Sequence, residues 1–296
     1  MNYIKKLSLI FCSLLLTFFA YEWSQIRETS LHFLDQNGTG HTLSLSIKDK
    51  KRLSAFMENL FASDNFAFTI LGSKPLSWAC CQSPFPFVDW STFRASFRNY
   101  HRTLRLGWKT WEKYSDLFPS VHLWKETPKP YSGWSSILIV NPDHFNAVVN
   151  ENKKDFQEVL GRKIEDGFQL LDEAKNCSLM DEILHAHQAL MGIVLGYGRN
   201  NSWKFLEGIE KQEPLGWVWE EMNNPFQEEK PKGLTLTQYN LIYYSCPSFA
   251  GEINTEESLA LKKNYLLTRE KVINYYKGKD FLEATLSLLA GYRPSE

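Results

Sequence analysis

Ser30–Ile47 reads SLHFLDQNGTGHTLSLSI, and this stretch decides the fold class. On either side of Gln36-Asn37-Gly38-Thr39-Gly40, apolar residues alternate with polar ones: Leu31 and Phe33 before it, Leu43 and Leu45 after it. A period of two puts these four side chains on one face of a pair of strands. Asn-Gly supplies the positive φ angles that a tight hairpin turn needs. The stretch therefore predicts a β-hairpin in a chain whose other strong periodicities are mostly helical. The implied class is α+β, helix-dominated, with a small mixed or antiparallel sheet from the N-terminal half.

Working outward, Lys48–Phe61 carries Leu53, Phe56, Met57, Leu60 and Phe61 at helical spacing and predicts a helix packed on the hairpin. Phe66–Leu71 reads as a strand, and Pro75, Pro84 and Pro86 break the next segment into loop. Val121–Trp124 and Ser135–Val140 read as strands on either side of Thr127-Pro128-Lys129-Pro130, a stiff loop that marks a sub-boundary near 127–133. Beyond Asn141, helices are expected at Pro142–Asn150, Lys153–Leu171, Leu179–Leu195, Asn201–Ile209, Glu256–Tyr276 and Asp280–Leu289, with one more strand at Leu234–Tyr244. Asn254 with Glu257 three residues on has the capping-box pattern for the long helix. One globular body over 28–296 is the expected organisation.

Composition narrows the classes. The 296 residues hold 33 Lys plus Arg against 34 Asp plus Glu, a formal charge of −1 that excludes a strongly basic nucleic-acid binder. With 43% apolar and 23% charged residues the chain is neither disordered nor a multi-span membrane protein. Aromatic residues make up 15% and supply rigid surface to bury or to stack on ligands.

Lys5 and Lys6 precede an uncharged run from Leu7 to Tyr21, after which Glu22, Trp23 and Arg27 return to polar character. A positive region followed by an apolar one is an export signal. The run is short for a span of about 20 residues, which favours a cleaved signal. Phe18, third-last before the best cleavage point after Ala20, opposes cleavage, so residues 1–23 are read as a signal peptide or a signal-anchor transmembrane helix. Either places the body outside the cytoplasm, membrane-tethered or secreted. Cys12 lacks the small preceding residue that lipid attachment needs, since Ile10 and Phe11 stand before it. Cys80, Cys81, Cys177 and Cys246 permit disulfides in an oxidising compartment, with two crossed pairings open once adjacent Cys80–Cys81 is set aside as strained.

Three constellations carry chemical possibilities. The first is a helix predicted over Asp89–Leu117, with Trp90, Phe93, Phe97, Tyr100, Leu104, Trp108 and Trp111 on one face. Arg94, Arg98, Arg102, Arg105, Lys109 and Lys113 form the other face, and no acid occurs between Trp90 and Trp111. Such a stripe is either a solvated outer face or a surface for anionic lipid or an acidic protein patch. The second is Gly196-Tyr197-Gly198-Arg199-Asn200-Asn201, which has neither P-loop nor dinucleotide spacing. It reads as an interhelix turn with Arg199 on free carbonyls, or as a ligand-binding turn in which Tyr197, Arg199 and Asn200 hold a carboxylate or phosphate. The third is the acidic aromatic stretch Trp217, Trp219, Glu220, Glu221, Glu228 and Glu229, a surface loop or a glycan-hydrolase surface. Glu182 and His185 have di-iron spacing without the second such pair, and no CxxC occurs, so no metal and no cofactor is expected.

The runs LGSKPLSW (Leu71–Trp78), LGYGRNN (Leu195–Asn201), CPSFAG (Cys246–Gly251) and YKGKDFLEATL (Tyr276–Leu286) resemble segments of a family of uncharacterised, N-terminally hydrophobic proteins of chlamydia-related bacteria. The resemblance implies a bacterial exported or membrane-tethered protein and assigns no activity or site residue. It also implies that Asn37 is a turn residue and carries no glycan. The function expected is a noncatalytic envelope or host-interface binding module, with an exported hydrolase acting on glycan or peptide as the alternative.

Overall fold

A computed structural model describes residues 17, 24, 26–63, 65–82, 95–118, 123–126, 134–212, 247 and 249–292. Strands β1 (Glu28–Leu34) and β2 (Gly40–Ser46) pair antiparallel with Leu31 opposite Leu43, and the four alternating apolar residues are buried on one face. The turn differs in detail from the Asn-Gly expectation. Only Gly38, at φ 76°, enters the left-handed region, and the Asp35 carboxylate accepts the N–H groups of Asn37 (2.8 Å) and Thr39 (2.9 Å). A side chain thus organises a wider loop where the dipeptide alone pointed to a tighter one.

Helix α1 (Ile47–Ser63) continues directly from β2. Phe66–Leu71, read as a strand, is helix α2. Its run Phe66, Ala67, Phe68, Thr69 is buried without a break, a pattern that periodicity assigns to neither class. The strand lies one segment later, in a stretch that reads from sequence as loop: β3 (Leu76–Gln82) opens just after Pro75, where a strand tolerates proline. Helix α3 (Ala95–Trp111) ends in a 3₁₀ turn, Ser115–Leu117, and β4 (Leu123–Glu126) and β5 (Trp134–Val140) complete a sheet of order β3-β5-β4, antiparallel throughout.

That sheet separates two apolar cores. Ile137 and Ile139 of β5 face the core built from the hairpin, α1 and α3, while Leu138 and Val140 face the core of the C-terminal helices. Burial on both faces explains the unbroken run Ile137-Leu138-Ile139-Val140.

The second core is covered by α4 (Pro142–Glu151), α5 (Lys153–Leu160), α6 (Gly167–Glu173), α7 (Gln188–Val194) and α8 (Arg199–Lys211). Lys153–Leu171, expected as one helix, is divided at Gly161, which caps α5 with φ 64°. The helix expected over Leu179–Leu195 is also divided. Leu179–Ile183 is a π-helical turn, His185 (φ 55°) and Ala186 (φ 51°) are left-handed, and His187 caps α7 by accepting from Leu190 N. Two consecutive left-handed residues cost of order 1–3 kcal/mol each; bonds from Ala186 N to Met180 O and from His187 N to Leu184 O hold them in place. Gly192 lets α8 approach, since a Cβ there would lie 2.5 Å from Ser202 Oγ.

Helices α9 (Glu256–Tyr276) and α10 (Phe281–Leu289) return to the first core. The α9 cap is Thr255, accepting from Ser258 N, one residue beyond the expected Asn254. Along the outer edge of β1, Glu283 and Ser287 of α10 accept from His32 N (2.9 Å) and Leu34 N (3.0 Å), so those donors are satisfied.

Among the described residues no helix is long and apolar enough to cross a membrane, which corrects the expectation of a transmembrane helix. The leader run apart from residue 17, the 127–133 sub-boundary, the strand expected at Leu234–Tyr244 and Cys246 lie outside the described residues. Cys177 is a reduced thiol, and since each of the two crossed pairings needs it, neither forms in full.

Candidate functional site

Helix α3 is set by its buried face. Leu104, Trp108 and Trp111 enter the first core, and Gly107 meets α1 so closely that a Cβ there would lie 2.2 Å from Phe56 Cβ. The indole N–H of Trp108 donates to Glu112 Oε1 at 2.7 Å, which fixes the last turn. This packing leaves one choice for the opposite face. Arg102, Arg105 and Lys109 are exposed, and among the described residues none has an acidic partner within ion-pair distance. The three span about 10 Å of helix at 1.5 Å per residue. Arg98 lies in the same helix, and Arg94 lies outside the described residues.

The stripe ends where its next cation is paired. Lys113 Nζ lies 3.2 and 2.9 Å from the two oxygens of Asp49, near the start of α1. Tyr114 donates to the same carboxylate at 3.2 Å, and Arg52 stands 4.0 Å away. Burial, then the Asp49 charge, pushes the Tyr114 phenol up. Asp49 is 8% exposed, and its donors converge on it, so it serves the α1–α3 junction and leaves the three outer cations unneutralised.

The Gly196–Asn201 turn holds its charges differently. Arg199, expected on free carbonyls, makes a two-pronged pair with Asp155 of α5, Nε to Oδ2 at 2.5 Å and a terminal nitrogen to Oδ1 at 2.8 Å. The guanidinium holds the Asp155 carboxyl below its ordinary value. Two N–H groups in the first turn of α8, those of Asn200 and Asn201, donate to Glu257 of α9 at 3.1 and 2.9 Å. A helix start does attract a carboxylate here, and the chain supplies it. The capping-box Glu257 therefore caps another helix, a long-range choice that spacing could not show. Tyr197 stacks on Phe249 at 5.1 Å beside a pocket of about 230 Å³, and burial pushes its phenol up to about 12.

A third feature was not legible in the sequence. A cleft of about 760 Å³ runs between β4 and α6, with Glu126 at its inner end. Glu126 is 5% exposed and accepts from Ser178 Oγ (2.7 Å), Leu179 N (2.5 Å) and Met180 N (3.3 Å), capping the π-helical turn. Burial raises its pKa against the pull of those donors. Both oxygens are thus occupied in holding a turn, which is a structural role. Burial likewise raises the Cys177 thiol, which donates to Glu173 O at 3.4 Å.

Glu220, Glu221 and the rest of the acidic aromatic stretch lie outside the described residues, and among the described residues no group of three His, Cys, Asp or Glu side chains could hold a metal. Compared with protein-family models, curated proteins and solved structures, the chain matches none.

Proposed function

We propose that the protein is an exported, noncatalytic binding module whose α3 ridge docks on the headgroups of anionic phospholipid. The observation that carries this reading is the exposure of Arg102, Arg105 and Lys109 on a helix whose other face is locked into the core, with no described acid beside them. Their mutual repulsion is unrelieved within the described residues, and an anionic surface would relieve it while contributing about 1 kcal/mol per cation. The leader with Lys5 and Lys6, read as an export signal, is consistent with an envelope location. Among the described residues, the buried carboxylate in the large cleft, Glu126, is saturated by donors and lends the hydrolase alternative no support.

The test compares the full chain with the triple variant R102Q/R105Q/K109Q for sedimentation with phosphatidylglycerol vesicles across a salt series, with phosphatidylcholine vesicles as the control for apolar partition. Binding by the unaltered chain should fall with salt, and the variant should bind about 100-fold more weakly, the equivalent of three cations at about 1 kcal/mol each. Equal binding by both chains would overturn the reading. Weak binding by both, together with salt-sensitive capture by an acidic protein, would transfer the ridge to a protein partner.

A further inference from the structure

The sheet order β3-β5-β4 leaves β4, among the described residues, paired on one side only. Among the described residues, Leu123–Glu126 make no backbone–backbone hydrogen bond other than those across to β5. Open strand edges are templates for a further strand, and folded proteins normally cover them. This one does so at β1, where Glu283 and Ser287 meet the edge donors. At β4 the edge residues Trp124, Lys125 and Glu126 instead line the 760 Å³ cleft.

The far wall of that cleft is α6. Phe168 faces it with 45% of its surface exposed, an unusual setting for a large apolar ring. Across the cleft Trp124 is partly buried, and its indole N–H is buried without an acceptor among the described residues. Carboxylates dominate the rim, where Glu165, Asp166 and Asp172 stand against Lys125 and Lys175. Lys175 is already paired with Asp172 at 2.6 Å. The combination is a strand edge for main-chain bonds, rings for an apolar side chain, and surplus negative charge for a basic one.

We propose that the cleft between β4 and α6 receives an extended segment of a partner protein, which adds as a strand to the β4 edge. An apolar side chain of the guest lies between Trp124 and Phe168, and Lys or Arg side chains reach Glu165 and Asp172. The guest strand contributes N–H and C=O groups to match the open ones of the four-residue β4, over about 13 Å. This inference is independent of the α3 ridge.

The probe is a dye-labelled nine-residue peptide, acetyl-KVKFKVKVK-amide, titrated into the full chain by fluorescence anisotropy. Two isomers accompany it, each N-methylated at alternate residues so as to block one edge of the peptide. Strand addition uses a single edge, so one isomer should bind at least about 10-fold more weakly and the other like the parent. The rim variant E165Q/D172N should weaken the parent peptide by about 10-fold. The ridge variant R102Q/R105Q/K109Q should bind the peptide unchanged. Absence of saturable binding up to about 1 mM, equal binding of both isomers, or an unaffected rim variant would each overturn the proposal. A concentration-dependent dimer that the peptide cannot dissociate would assign the edge to a second copy of the chain and overturn it as well.

Discussion

The α3 ridge and the Gly196–Asn201 turn both read from sequence as anion sites, and the structure treats their charges in opposite ways. At the turn the charged donor and two helix-start N–H groups are answered from within: Arg199 by Asp155, and Asn200 N and Asn201 N by Glu257. On the ridge, Arg102, Arg105 and Lys109 project from a helix whose inner face is fully used. Charge near a helix start is therefore a poor guide to a ligand when another helix start crosses beside it. A charged face becomes informative when the packing beneath it leaves no freedom to pair. The two regions should accordingly respond in opposite ways to mutation, with stability changing at the turn and association changing at the ridge.

The largest stability effect is expected at Gly198. Its φ of 87° and ψ of 154° lie where side chains are not tolerated, and a Cβ would come 2.5 Å from Glu257 Cδ. Gly198→Ala should cost about 3 kcal/mol, combining backbone strain with overpacking. Adding Glu257→Ala should recover only the steric part, so chemical denaturation of the double variant should show less than additive loss. Additive loss would mean that the turn does not depend on the Gly198–Glu257 contact.

Next in size is Gly107→Ala, expected to cost about 2 kcal/mol by pushing α3 away from Phe56. A thermal transition unchanged from that of the parent chain would contradict the close α1–α3 crossing on which the ridge rests.

Arg199→Met should cost about 1 kcal/mol at pH 7, the modest figure reflecting a guanidinium that is half exposed. The sign of its pH dependence comes from Asp155, whose folded pKa is depressed by Arg199. A depressed carboxylate contributes stability that is fully present above its unfolded value of 3.8 and is lost as pH falls through the folded value. The gap between parent and variant should therefore be constant from pH 7 to about 5 and close in strong acid. A gap that widened in acid would reverse the assignment.

The smallest effect belongs to the ridge. R102Q/R105Q/K109Q should change unfolding free energy by less than about 0.5 kcal/mol, as exposed substitutions without partners do. A loss comparable to that of the turn variants would show that the cations are structural and would remove the contrast between the two regions.

Several elements were legible because local signals and packing agree. The hairpin alternation and the two-faced α3 arise from periodicity that tertiary contacts reinforce, and the start of α9 from a polar cap, Thr255, one residue from the expected Asn254. Misreadings cluster where a pattern has no period or where a break is encoded by a single residue. Phe66–Leu71 is buried almost all round, so its apolar run fits either class, and β3 was hidden behind Pro75. Gly161 ends α5, and the left-handed pair His185–Ala186 separates the π-helical turn from α7. For the candidate sites, the residue types on the ridge were readable, while Glu126 at the inner end of the cleft gave no local signal at all. Its partners Ser178, Leu179 and Met180 lie more than fifty positions away.

By itself the sequence determined the class of the chain, the hairpin, the long amphipathic helix and the concentration of cations on its outer face, because side-chain period and residue type are local quantities. Only the tertiary structure decided which of those charges are answered. Asp155 reaches Arg199 from forty-four positions away and Glu257 reaches Asn201 from fifty-six, whereas no described carboxylate reaches Arg102, Arg105 or Lys109. Pairing of this kind depends on distances of a few ångströms between segments far apart in the chain, and those distances are set by how the two cores pack on either side of β5.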